Sequence, residues 1–355
     1  MAQQRSRQQR QKPRKQGPRE RPRQPRDRRD TATGAAATKN TAAGANEHPA
    51  CRHGVVVANY GARISVRDAA GELHRCVARR RAGYPVCGDR VLWLEPDRAE
   101  SHDTGRATGC AAIVAIAERD SALERPDRRG MLKPLAANFS QLVVVAADPP
   151  GFDTELIDRY LVAAERLGVR AALAINKSDL LGEQSAAAAR ALLSRYRALD
   201  YPACLASNAA PGGLDELAAL LRGQTSILVG QSGVGKSSIA DRLLPDREIR
   251  VGALSEHGGQ GSHTTTAATL YELPDGGRLI DSPGVREFPL EHLEGSELAA
   301  GFREIATLAG DCRFHNCAHR AEPDCAVRCA VADGRISAER YHSYLRMLAQ
   351  SAQKD

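Results

Sequence analysis

A short apolar run, Thr225-Ser226-Ile227-Leu228-Val229, leads into Gly230-Gln231-Ser232-Gly233-Val234-Gly235-Lys236-Ser237, and a helical stretch closed by Pro245 follows. A strand, a glycine-rich loop and a helix in that order leave few folds open. Glycines let consecutive backbone N–H groups turn toward a polyphosphate, and the helix N-terminus adds its positive end. The spacing G-x-x-x-x-G-K-S thus marks Gly230, Gln231, Ser232, Gly233, Val234, Gly235, Lys236, Ser237 and the neighbouring Ser238 as a nucleotide phosphate site. Lys236 is placed to reach the β- and γ-phosphates and offset charge during transfer, and the Ser237 hydroxyl to ligate Mg²⁺. A tight turn with a chance Lys-Ser pair is the bland reading, and it leaves the flanking strand and helix unexplained.

The text before this loop alternates strand and helix. Apolar runs at 141–147, 171–175 and 203–206 are separated by helical stretches at 153–167, 184–199 and 214–221. Continuous apolar strands with crossover helices predict a parallel sheet covered on both faces. Further upstream, between 52 and 118, about five short alternating runs separated by turn signals predict a small antiparallel barrel of the OB type. Arg75, Arg79, Arg80, Arg81 and Arg90 could track a nucleic-acid backbone there, with Tyr60, Tyr84 and Trp93 as the main aromatic candidates. So few aromatics favour phosphate or shape contacts over base stacking. A barrel that only docks protein is the alternative. Residues 119–139, with Pro126 and Pro134, read as a linker.

Three further motifs fall at strand ends. Asn176-Lys177-Ser178-Asp179 is the N-K-x-D of guanine-specific NTPases: the Asp179 carboxylate can accept from guanine N1–H and the exocyclic amine, while Asn176 and Lys177 hold the loop and pack on the base. One strand later, Ser207 lies in the loop whose backbone would touch the guanine oxygen. Beyond the phosphate loop, Gly261-Ser262-His263-Thr264-Thr265-Thr266 reads as a segment in which Thr264 or Thr265 meets Mg²⁺ and the γ-phosphate. Asp281-Ser282-Pro283-Gly284 is a D-x-x-G, with Asp281 toward Mg²⁺ and the Gly284 N–H toward the γ-phosphate. The order is unusual, because the base-reading motifs precede the phosphate loop. A circular permutation accounts for it, since each motif keeps its strand end whatever the connectivity.

Charge is placed unevenly. Residues 1–30 hold twelve Lys and Arg against Glu20, Asp27 and Asp30, which is +9 of a net +7 and leaves −2 for the rest. Residues 1–48 therefore read as a disordered basic tail, a phosphate-binding arm or a solvated spectator. No apolar run approaches the length of a membrane span, and the N-terminus lacks a signal-peptide core. A cytoplasmic monomer without membrane contact is expected. Near the C-terminus, Cys312, Cys317, His319 and Cys325 offer three thiolates and an imidazole, a closed tetrahedral set suited to one structural Zn²⁺, with His315 and Cys329 as rival ligands.

The barrel, the segment Lys133-Pro134-Leu135-Ala136-Ala137-Asn138, the permuted motifs and the Cys/His cluster together resemble the RsgA (YjeQ) family of bacterial GTPases that depend on the small ribosomal subunit. The resemblance covers about 52–345 and leaves the arginine-rich tail outside. Beyond the compositional tail 1–48, it implies a multidomain α/β chain: OB-like RNA-binding barrel 49–125, circularly permuted GTPase domain 126–290 and helical zinc-binding domain 291–355. It implies GTP hydrolysis to GDP and phosphate in late maturation of the small subunit, with rRNA as partner, and it assigns Cys312, Cys317, His319 and Cys325 to zinc. Where many GTPases carry a water-orienting glutamine after D-x-x-G, this chain has Val285, so His263 is expected to position the attacking water. Ser262 stands where the family typically has arginine. Two other readings compete: a scaffold that holds GTP as a static ligand, and a permuted ATPase, which would leave Asp179 idle.

Overall fold

In the computed structural model, the residues described are 51–61, 63–96, 110–126, 131–244, 268–281 and 295–351. The basic tail, His263, Thr264, Thr265 and Gly284 lie outside them. Alternating runs become β1 (Arg52–Asn59), β2 (Ile64–Asp68), β3 (Leu73–Ala78), β4 (Arg90–Leu94) and β5 (Ala111–Ile116). They pair in the order β1-β2-β3-β5-β4 and close through β4 on β1, a five-stranded barrel with one parallel pair, β3 on β5. Inward residues Val56, Ile64, Val66, Cys76, Val91, Trp93 and Ile113 fill it. At Gly54 a Cβ would sit 2.4 Å from Val66 Cγ1 and 3.0 Å from Trp93 Nε1, so glycine there makes room for the indole.

The segment expected as a linker is instead a two-stranded hairpin, β6 (Ala122–Pro126) and β7 (Leu132–Ala137). Both strands of a two-stranded sheet have an open outer edge, so Pro126 and Pro134 remove no ladder bond that the hairpin needs. The hairpin is fastened to the barrel. Ala137 N donates to Cys87 O (2.8 Å), Asn138 Nδ2 to Gly88 O (2.9 Å), and Asp120 N to Asn138 Oδ1 (2.9 Å). Gly88 is in the left-handed region (φ 91°), and a Cβ there would lie 2.0 Å from Ala137 O. Arg119 grips the buried Asp89 with Nε (2.7 Å) and Nη2 (2.8 Å), while Val86 N donates to the same carboxylate.

The strand–helix alternation gives β8 (Gln141–Ala147), α1 (Thr154–Leu167), β9 (Arg170–Asn176), α2 (Glu183–Arg197), β10 (Ala203–Leu205), α3 (Asp215–Leu221), β11 (Thr225–Val229) and α4 (Lys236–Leu243). A pair not read from the sequence as a unit, β12 (Thr269–Glu272) and β13 (Arg278–Asp281), completes the sheet. The order is β10-β9-β8-β11-β13-β12, parallel except for β12. α1 shows how the local signals work. Asp153 caps it by accepting from Leu156 N (3.0 Å), its apolar stripe is buried, and Gly168 ends it at φ 64°. β12 also pairs with β1 at Thr269 opposite Ala58, so barrel and nucleotide sheet form one eleven-stranded surface.

The C-terminal lobe has α5 (Gly295–Ala300), α6 (Arg303–Ala309), α7 (Ala326–Ala332) and α8 (Ala338–Ser351), packed around Phe302, Ile305, Val327, Tyr344 and Met347 together with Val162 of α1. Among the described residues no helix is long and apolar enough to cross a membrane. α8 does more than bury an apolar stripe. It carries Arg340, 1% exposed, into a polar core: Nη1 donates to Asp158 Oδ1 of α1 (2.6 Å), and Nε and Nη2 to Glu304 of α6 (2.7 and 3.0 Å). Tyr196 of α2 donates to the same Asp158 oxygen (2.5 Å).

Candidate active site

All the described nucleotide motifs sit at one edge, the C-terminal ends of the parallel strands, where such sheets gather ligands. β9 ends in Asn176, β10 runs into Ser207, β11 into the glycine loop, and β13 ends in Asp281. The permuted chain order thus leaves the spatial order intact. The phosphate loop requires its glycines: Gly230, Gly233 and Gly235 have φ of 135°, 82° and 95°. A Cβ on Gly230 would lie 2.1 Å from Val145 O. Lys236 Nζ donates to Gly230 O and Gln231 O (both 2.7 Å), folding its ammonium over the loop where phosphate oxygens would compete for it. Ser237 and Ser238 stand exposed in the first turn of α4.

The base-reading loops are tied to one another before any ligand arrives. Asn176, fully buried, donates through Nδ2 to Val234 O (2.8 Å) of the phosphate loop. Ser178 N donates to Ala206 O (3.0 Å), and the Ser207 hydroxyl donates to the Asp179 carboxylate. Ser207 Oγ also accepts from Ala209 N and Ala210 N (both 3.1 Å). Ser207 therefore orients Asp179 within the loop that follows β10. Lys177 adopts φ 58° and its Nζ donates to Pro149 O (3.1 Å). A hydroxyl at Ser237 and a carboxylate at Asp281 are hard oxygen donors of the type that suits Mg²⁺. The barrel reaches this region too: the Cys87 thiol, which donates to Val57 O (3.4 Å), is pushed well above the usual range by burial and then by Asp89 and Asp281.

In the C-terminal lobe the four residues Cys312, Cys317, His319 and Cys325 converge, their ligand atoms all within 4.8 Å of one another. His319 Nδ1 lies 3.5 Å from Cys312 Sγ and 3.6 Å from Cys325 Sγ, and the two sulfurs are 3.9 Å apart. A tetrahedral zinc with bonds of about 2.3 Å to sulfur and about 2.0–2.1 Å to nitrogen demands edges of roughly 3.6–3.8 Å, so the set fits that ion. His315 and Cys329, both exposed, stay outside the cluster. Glu322 holds the loop between the ligands by accepting from Ala318, Arg320 and Ala321 N–H groups (2.8–3.0 Å). From α8, Tyr341 donates to His319 O (2.6 Å) and Tyr344 to Ala318 O (2.9 Å).

The barrel corrects two candidates. Trp93 is buried inside, with its ring 4.4 Å from that of His74, so it offers nothing to an outside ligand. Arg90 is committed to Asp120 through both terminal nitrogens (3.0 Å each). Arg75, Arg79, Arg80 and Arg81 remain exposed on β3 and the turn after it, beside Tyr84 at 62% exposure.

A family-wide profile described as RsgA GTPase matches residues 116–291. A protein of Chromohalobacter salexigens named small ribosomal subunit biogenesis GTPase RsgA is 49% identical over 309 residues, covering 86% of this chain and 88% of its own. A Pseudomonas fluorescens protein of the same name is 47% identical over 300 residues, covering 83% and 84%. Among solved structures, YjeQ from Thermotoga maritima superposes with a TM-score of 0.69 at 30% identity, covering 85% of this chain and 99% of that one. YloQ, described as a circularly permuted GTPase, gives 0.66 at 26% identity over 87% and 98%.

Proposed function

The chain belongs to the RsgA GTPase family, a GTP-hydrolysing enzyme, and on that premise we propose that it acts in biogenesis of the small ribosomal subunit, binding the subunit and its rRNA and hydrolysing GTP when bound there. The observation that carries the reading is the prior assembly of both halves of a guanine nucleotide site at one sheet edge, with Asn176 bonded to the phosphate loop and Ser207 to Asp179. Asp179 recognises the guanine edge, Asn176, Lys177, Ser178 and Ser207 frame the base, and residues 230–238 take the phosphates. Ser237, Asp281 and Thr265 would hold Mg²⁺, which when bound would offset charge on the phosphate oxygens. Lys236 and the loop amides stabilise charge as water attacks in line, Thr264 and Gly284 close on the γ-phosphate, and His263 orients the water.

The Cys312, Cys317, His319 and Cys325 set holds one structural Zn²⁺. Tail (1–48), barrel (49–125), GTPase domain (126–290) and zinc lobe (291–355) work as a monomer in the cytoplasm during late subunit maturation, with the β6–β7 hairpin shared between barrel and GTPase domain. The test is GTP turnover by purified protein with and without isolated small subunits, using Lys236→Ala as the control for contaminating enzymes. Large stimulation that disappears in Lys236→Ala supports the reading; tight GTP-dependent subunit binding without stimulation would favour the static-ligand scaffold. His263→Ala turning over at the wild-type rate on subunits would remove that residue from the mechanism.

A further inference from the structure

β12 opens on a residue whose chemistry its place in the sheet does not need. Thr269 is 1% exposed, and its Oγ1 is sealed from solvent with no hydrogen-bond partner among the described residues. A valine would fill the same space and suit a strand as well, without the cost of a buried unpaired hydroxyl. Native folds leave few such groups unpaired, and each one calls for a reason. The neighbours of Thr269 supply it. Thr269 stands directly opposite Asp281 in the antiparallel pair of β12 and β13, and side chains so opposed share one face with Cβ atoms about 4.5–5.5 Å apart. That face is the one turned to the phosphate loop: two positions along each strand, Tyr271 and Leu279 pack with Val234 and with Ile239 of α4. The residues between, Leu270 and Ile280, belong to the opposite face.

We infer that Thr269 is a positioning residue for the metal site: its hydroxyl donates to the Asp281 carboxylate and fixes which of the two oxygens faces the Mg²⁺ of the bound nucleotide. The inference rests on the Mg²⁺ and GTP reading proposed above. A carboxylate that holds a metal, directly or through water, turns about its last bond unless something pins it, and hydrogen bonds from the surrounding side chains supply the pin. Thr269 is β-branched and has few rotamers open to it, while its hydroxyl proton can swing to whichever acceptor is presented. In the free protein that hydroxyl is unpaired. The pair forms when Asp281 turns to the metal, so the contact belongs to the liganded site and not to the fold.

The test separates metal from nucleotide in the full-length protein. Calorimetric affinity for the β,γ-imido analogue of GTP, which is not hydrolysed, is measured in EDTA and across a Mg²⁺ titration for wild type, Thr269→Val and Thr269→Ser. The expected result is that Thr269→Val raises the Mg²⁺ concentration at half-effect by about tenfold or more, the usual loss when such a partner is removed. Its affinity in EDTA stays at the wild-type value, its melting midpoint without ligand is no lower, and Thr269→Ser, which keeps the hydroxyl, restores the Mg²⁺ response. A wild-type Mg²⁺ midpoint in Thr269→Val overturns the inference, as does an equal weakening with and without Mg²⁺, the mark of a merely structural role. A lowered melting midpoint overturns it too, by showing that the hydroxyl already serves the free fold. Wild type that binds the analogue with no response to Mg²⁺ refutes the Mg²⁺ reading itself, and the inference with it.

Discussion

Arg340→Met should cost this protein more stability than any exposed ion pair, and the structure says where. Arg340 and Asp158 are each 1% exposed, and Glu304 is 8% exposed at the side chain. Replacing the guanidinium by an apolar chain of similar length leaves two buried carboxylates facing each other without a cation. Breaking such a pair from one side costs about 3–5 kcal/mol, a large part of the roughly 5–15 kcal/mol that keeps a domain folded. At about 2–4 °C per kcal/mol, the unfolding midpoint should fall by about 6–20 °C. The loss should appear first where the network joins helices, so amide exchange should rise in α1, α6 and α8 before the β8–β9 core. Arg340→Lys should fall between, because an ammonium cannot address both carboxylates with the fork that Nε, Nη1 and Nη2 provide. Adding Asp158→Asn to Arg340→Met should recover about 2 kcal/mol through their coupling. A midpoint for Arg340→Met within 2 °C of wild type, or strict additivity in that double variant, would refute the reasoning.

Lys236→Ala should slow GTP hydrolysis by about 10²–10³, read as phosphate release, since its ammonium, held over the loop by Gly230 O and Gln231 O, is the cation set to meet the phosphates. Cys317→Ser should lower bound zinc, read by atomic absorption, well below one per chain, whereas Cys329→Ser should leave it at one. Exchanging Arg75, Arg79, Arg80 and Arg81 for Gln should weaken subunit binding and flatten its salt dependence by up to about four in the log–log slope, with no change in turnover of free GTP. The His74 hydrogen bond holds the Asp68 carboxyl below its ordinary 3.8, helped by the Glu72 and Ala70 amides. A carboxyl with a lowered folded pKa stabilises above 3.8 and loses that contribution as pH falls through its folded value. NMR titration should find the Asp68 pKa moving upward in His74→Phe.

Motifs whose chemistry is backbone-local were legible from residues alone. Gly230, Gly235 and Lys236 announce their loop because few residues tolerate its conformation, and Asn176 to Asp179 announce theirs by strand-end position. The linker reading failed because Pro126 and Pro134 look like breakers in one dimension, and only the open edges of a two-stranded sheet make them harmless. Arg340 was invisible for the opposite reason: one arginine in an amphipathic helix looks solvated until Asp158, 182 residues earlier, is seen beside it. The rival zinc ligands could not be separated by spacing, because the choice depends on the left-handed turns at His319 (φ 56°) and Asp324 (φ 55°). Ser207 can be assigned to its loop from the sequence, but its bond to Asp179 is a matter of side-chain aim.

The pairing of β12 with β1 also bears on how the chain avoids sticking to itself. An open sheet invites edge-to-edge association through its unpaired N–H and C=O groups. Here one flank is covered by a barrel strand at Ala58–Thr269. The other ends in β10, three residues long, where Arg197 donates from Nε and Nη2 to Ala203 O (2.9 and 2.5 Å). The barrel closes through β4 over Arg52–Val55 of β1 and spends the rest of that edge, at Ala58, on β12, so it caps the sheet without creating a new exposed edge. Cutting the chain ahead of β8 to isolate the GTPase would uncover β12, and that fragment should form soluble aggregates or strand-paired dimers that the intact protein does not.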